Sequence, residues 1–179
     1  NYPGYEKINP SSKPALPVGK VYYATGEIVH LMGRVYDKDC VPLSGVSLEL
    51  WQTNTTGKYT WASNGELMNQ DPTFTGTGQA MTNNLGEYQF LTIFTGVYKN
   101  RAPHIHLKIS HPEFEPLFTE MYFENDHRND TDTQLIQLGG TKKRQLLARI
   151  KPPHPAAMRQ PLIAYFDIVL DGKSRFGEF

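Results

Sequence analysis

Arg101-Ala102-Pro103-His104-Ile105-His106-Leu107-Lys108-Ile109-Ser110 becomes, from His104 onward, an alternating run of apolar and polar residues. In an extended strand, residues i and i+2 point to one face. Ile105 and Leu107 are therefore expected to pack inward, while His104 and His106 share the opposite face within reach of a single metal ion. Tyr98 and Arg101 precede the pair, so a phenol, two imidazoles and a guanidinium gather in one locale. That set of groups suits a hard, acidic metal with redox-related work.

Outward from this run, residues 28–35 and 46–51 are also alternating and β-rich, with turn chemistry at 37–45 between them. Further strands are expected at 88–93, 104–110 and 117–123, and a buried one at 162–170, ended by Asp171-Gly172. Residues 142–150 have helical composition and stop at Pro152-Pro153. Residues 54–86 are dense in Thr, Asn and Gly, and read as a long loop of the kind that carries function. The pattern predicts an all-β chain, an Ig-like or prealbumin-like β-sandwich with long loops and one short helix. Residues 1–27, with Pro3, Pro10, Pro14 and Pro17, read as an extended N-terminal arm, and 28–179 as the sandwich domain.

A chain of 179 residues can bury roughly 70% of the surface its unfolded form exposes, enough for one real core. Lys plus Arg and Asp plus Glu are equal at 18 each, so no overall charge favours nucleic acid or an anionic membrane. The apolar stretches are too short to span a bilayer. One cysteine, Cys40, excludes an internal disulfide and a Cys-based zinc cluster. The chain starts at Asn1 with no visible leader, which leaves an exported or a cytoplasmic protein open, with a lean to export. Two Asn-x-Thr triplets, at Asn54 and Asn129, arise too often by chance to carry an argument.

The surroundings of the histidine pair resemble the intradiol ring-cleavage dioxygenases. The matching stretches occur in order: Gly33-Arg34-Val35-Tyr36-Asp37, Leu48-Glu49-Leu50-Trp51-Gln52-Thr53-Asn54, and Gly57-Lys58-Tyr59. Tyr88-Gln89-Phe90, Gly96-Val97-Tyr98, Arg101-Ala102-Pro103-His104-Ile105-His106, Met121-Tyr122-Phe123-Glu124 and Tyr165-Phe166-Asp167-Ile168-Val169-Leu170 follow. The likeness covers residues 28–173 and is greatest to the protocatechuate 3,4-dioxygenase branch. It implies a mononuclear non-haem Fe(III) held by Tyr59, Tyr98, His104 and His106. It also implies Tyr98 as the ligand released to act as base and Arg101 as the active-site cation. The implied reaction cleaves a catecholic ring between its two hydroxylated carbons with O2, giving a cis,cis-muconate-type diacid. The branch assembles from two related chains, which leaves an oligomer open here.

Independent chemistry points the same way. Tyrosine ionises near pH 10, so only a strong Lewis acid keeps two of them as phenolates at neutral pH. Trp51, within a strand, reads as core, and His30, His111, His127 and His154 as non-ligands. Three departures from the family pattern stand out. Glu120 occupies a position where the family usually has glutamine, and its carboxylate could pair with Arg101 and retune the pocket, which makes it a third candidate catalytic residue. Thr95-Gly96 replaces a common Pro-Gly, and the loop from Tyr98 to His104 is short. The arm lacks the family's Thr-x-Gly-Pro element, so a more open pocket is expected. Two competing readings remain: a non-catalytic transthyretin-like or metal-binding sandwich module, and a zinc or copper hydrolase or oxidase with Glu120 as the carboxylate.

Overall fold

Alternation becomes strand wherever one face can be buried. The computed structural model describes residues 26–59, 74–151 and 160–171, and the two-residue strand β1 (Leu16–Pro17). Among these are β2 (Ile28–Asp37), β3 (Ser47–Trp51), β4 (Thr77–Met81), β5 (Glu87–Ile93), β6 (His104–His111), β7 (Phe114–Phe123), β8 (Leu147–Lys151), β9 (Leu162–Tyr165) and β10 (Ile168–Leu170). The hydrogen-bonded order is β1-β5-β2-β9-β8-β7-β6-β3-β4, with β10 added to β2. The path folds over at β8, which pairs parallel to β7 and antiparallel to β9. One layer is thus built on β5, β2 and β9, and the other on β7, β6, β3 and β4.

The inward faces of the two layers meet in one apolar cluster. Leu31, Val35 and Phe90 come from the first layer, and Leu48, Leu50, Ile105, Leu107, Ile109 and Met121 from the second. In the second layer the register places Leu50 beside Leu107, Leu48 beside Ile109 and Ile105 beside Met121, so the apolar rows lie in step across β3, β6 and β7. Each such side chain contributes roughly 1.5–3 kcal/mol when fully buried. The expected β-sandwich is the fold.

Several elements differ from the sequence expectation. The helix predicted over 142–150 is divided: α2 (Gly140–Gln145) ends at Leu146, and the rest becomes β8. Helical propensity is a weak local preference, and here the layer needs a strand, with Ala148 fully buried between its neighbours. A second helix, α1 (Thr133–Gln137), and a 3-10 turn at His127–Asp130 precede it, so the described residues hold two short helices rather than one. The strand expected over 162–170 breaks into β9 and β10, both paired parallel to β2. At the break, Phe166 N donates to Met32 O, and Arg34 N donates to the Asp167 carboxylate. β4 lies inside the expected loop 54–86; it is an edge strand held by backbone pairing to β3, so no apolar alternation marks it. Residues 60–73 of that loop lie outside the described residues, as does most of the expected arm 1–27.

No helix of the described residues is long and apolar enough to cross a membrane. Both triplet asparagines are buried, with Asn54 Oδ1 and Asn129 Nδ2 hydrogen-bonded inside the chain.

Candidate metal centre and active site

The outer face of the second layer carries the chemistry. On β6, His104 and His106 lie on the face opposite the buried Ile105 and Leu107, with ring centroids 4.8 Å apart and planes at 82°. The register sets Trp51 of β3 and Glu120 of β7 on either side of His106, and Tyr122 beside His104. Trp51 is therefore not core: it is half-buried and stacks on His106 at 5.1 Å with an interplanar angle of 6°.

The two tyrosines arrive on loops after β3 and β5, and those loops are stitched together. The Asn54 side chain accepts hydrogen bonds from Thr56 and Lys58 N, while Gly57 N and Gly96 N both donate to Asn54 O. A Cβ on Gly57 (φ +75°) would sit 1.8 Å from Val97 O, and one on Gly96 would sit 2.3 Å from Thr55 O. Only the missing side chains permit this approach. It brings the Tyr59 and Tyr98 rings to 5.3 Å, edge to face, and puts Tyr59 Oη 3.0 Å from His106 Nε2. Tyr59, Tyr98, His104 and His106 thus converge from three separate segments.

Which nitrogen of each imidazole is available follows from the neighbours. His104 Nδ1 lies 2.7 Å from Ala102 O, an atom that only accepts, so Nδ1 carries the proton and Nε2 keeps its lone pair. This is the usual arrangement of a metal-ligating histidine. His106 turns Nε2 to Tyr59 and Nδ1 towards Glu120 Oε1 at 3.6 Å, beyond hydrogen-bond length. Burial, and then the neighbouring His104, lower the His106 pKa to about 4, so the ring is neutral at pH 7. Burial raises the Tyr59 phenol, and the neighbouring Tyr98 and Glu120 add to that rise. A phenolate there therefore requires a strong cation, and two imidazoles grouped with two phenols fit one.

Arg101 is held in a fork. Its Nε donates to Asp132 Oδ2 at 2.9 Å, and its Nη2 to Glu120 Oε2 at 2.7 Å and to Tyr122 Oη. Tyr122 Oη also donates to Glu120 Oε2. Burial opposes ionisation of Glu120, but the hydrogen bonds from Tyr122 and Arg101 prevail and hold its carboxyl below the usual range. Asp132 is fully buried and also accepts from Ala102 N and, as the cap of α1, from Gln134 N and Leu135 N. Asp132 and Tyr122 were not singled out by sequence reasoning. Asp before a helical run is a legible cap, but its contact with Arg101 spans 31 residues and leaves no local mark.

The comparisons complete the picture. A family model described as "Dioxygenase" (Dioxygenase_C) matches residues 3–172. The chain belongs to the intradiol dioxygenase family. Among its relatives are a putative dioxygenase of Rickettsia typhi, 30% identical over 70% of this chain, and the protocatechuate 3,4-dioxygenase beta chain of Burkholderia cepacia, 36% identical over 56%. The matches span 64% and 46% of those proteins' own lengths. Among solved structures, the dioxygenase domain of a dioxygenase–carbohydrate-binding protein fusion from Streptomyces sp. SirexAA-E superposes with a TM-score of 0.65 at 29% identity. That match covers 92% of this chain and 95% of that one. The 3-chlorocatechol 1,2-dioxygenase of Rhodococcus opacus 1CP shares the fold, with a TM-score of 0.71 at 19% identity over 92% of this chain and 69% of that one. Family membership weighs against the bare sandwich-module reading.

Proposed function

We propose that this intradiol dioxygenase relative is an active enzyme that holds one ferric ion through Tyr59, Tyr98, His104 and His106 and cleaves catecholic rings with O2. The observation that carries the reading is the meeting of Tyr59 Oη with His106 Nε2 at 3.0 Å, beside Tyr98 and His104. Hard phenolate oxygens with two imidazoles favour Fe(III) over softer ions. Ferric iron bound there would supply the Lewis acidity that prepares a catechol for O2 insertion between its hydroxylated carbons, giving a muconate-type diacid.

The chain's own groups divide the remaining work. His104 is oriented by Ala102 O, and His106 is wedged by the Trp51 ring, so both imidazoles are preorganised. Tyr98 Oη is the base that takes one diol proton. Arg101, fixed by Asp132 and Glu120, presents a permanent positive charge beside the ring. Relatives include both the beta and the alpha chain of a protocatechuate 3,4-dioxygenase, and assembly with another copy or chain is part of the proposal.

A second reading has one specific observation in its favour. The ligand atoms of His104, His106 and Glu120 lie within 4.8 Å of one another, a two-histidine, one-carboxylate set. Such a set suits non-haem Fe(II). In that set Glu120 would bind through Oε1, because Arg101 and Tyr122 already hold Oε2, and Tyr59, 3.0 Å from His106 Nε2, would have no role. The test is a visible spectrum of iron-loaded protein without oxygen, before and after catechol. A broad tyrosinate-to-iron band that shifts on addition, followed by O2 uptake and a muconate, supports the proposal. A colourless iron protein overturns it in favour of the carboxylate set.

A further inference from the structure

Beside His106, the outer face of the second layer opens into a cavity of about 390 Å³. Its floor is His106, Glu120 and Tyr122, and its walls include Trp51, Phe118 and Leu138. Phe118 is 65% exposed and Leu138 42%. A single exposed apolar side chain means little, but these converge with an indole on one concavity that reaches His106, one of the proposed iron ligands. A space of this size is in the range of small-molecule sites.

The charge around the cavity is one-sided. Its described lining contains no Lys or Arg. The cation bonded to Glu120, Arg101, is already matched by Glu120 at 2.7 Å and by Asp132 at 2.9 Å, two carboxylates against one guanidinium. Glutamine at position 120 would leave one carboxylate against one cation. A carboxylate on an incoming ring would therefore lose its water against Glu120 with no cation free to receive it. An alkyl or aryl group meets Trp51, Phe118, Leu138 and Leu146, with Thr119 and Gln134 as uncharged polar neighbours. An ammonium group meets the Glu120 carboxylate.

We propose that this cavity is the subsite for the diol's ring substituent, that it takes uncharged apolar or ammonium-bearing side chains, and that Glu120 with the apolar walls turns carboxylated rings away. The proposal rests on the ring-cleavage reading for its biological sense, but its test does not. Metal-free protein is titrated by calorimetry with three monophenols of similar size: 4-propylphenol, tyramine and 4-hydroxyphenylacetate. The Trp51 indole resonance locates the ligand. The first two are expected to bind at least about tenfold more tightly than the third, since like charges brought together at a site cost several kcal/mol. Leu138→Lys, at an exposed position, and Glu120→Gln are each expected to narrow that gap. The corresponding catechols, offered to iron-loaded protein, should rank in the same order in kcat/KM. Equal or tighter binding of the carboxylate overturns the proposal. So does a gap that neither variant changes, or binding that leaves the Trp51 indole unmoved. Iron-loaded protein that cleaves none of the catechols would instead sink the ring-cleavage reading, and the metal-free ranking would still decide the subsite.

Discussion

At the scale of single residues, Asp132 carries more than its position suggests. One buried carboxylate fixes Arg101, ties the chain before His104 through Ala102 N, and caps α1. Asp132→Asn is expected to lower turnover by about ten- to a hundredfold, as losses of supporting residues around a centre generally do. Because Arg101 loses its charged partner while Tyr59, Tyr98, His104 and His106 are all kept, kcat should fall while the iron band persists. Burial works against ionisation of Asp132, but its bonds to Leu135 N, Ala102 N and Arg101 hold its carboxyl below the usual value. A lowered folded-state pKa means stability that is complete above the unfolded value, near pH 4, and lost as pH falls through the folded one. Urea unfolding between pH 5 and 2 should therefore show a steeper acid loss in the parent than in Asp132→Asn. Tyr59→Phe makes a complementary residue-scale test. Removing its oxygen should weaken the tyrosinate band and iron retention, measured by dialysis against a chelator, without affecting the fold.

At the scale of elements, the site depends on loops that meet only because two glycines let them. Gly57→Ala adds a Cβ where Val97 O lies 1.8 Å away and where φ is +75°. The substitution should cost more than about 1 kcal/mol in chemical denaturation. It should also part the tyrosine loops, so iron binding should fall further than stability alone explains. Strands β3, β6 and β7 act as a ruler: because the side-chain period is two, register alone sets Trp51, His106 and Glu120 in a row. The strand period of 104–110 was legible for this reason. β8 was not, because its residues favour helix locally and become a strand only where β7 and β9 offer hydrogen bonds on both edges.

At the scale of the whole molecule, the inner face of the second layer is the foundation of its outer face. Ile105 lies between the two histidines and is fully buried in the core between layers. Ile105→Ala is expected to cost roughly 2–5 kcal/mol in unfolding free energy. That loss should lower the melting temperature and loosen the histidine pair together, seen as parallel losses of thermal stability and iron affinity.

The sandwich was legible in the sequence: alternation at period two over 28–35, 46–51 and 104–110 makes strands that must bury a face, and three further β-rich runs leave few other solutions. It also determined the nearness of His104 and His106, because two residues on one strand need no tertiary information to be neighbours. The family motifs marked Tyr59, Tyr98 and Arg101. Only the tertiary structure decided the rest: that Asn54 and two glycines join the tyrosine loops, that Trp51 faces His106 instead of the core, and that Arg101 is shared between Glu120 and Asp132. These contacts link residues up to 55 positions apart, Trp51 to His106 among them. Short-range pattern records which face a side chain takes, and packing alone records what it meets there.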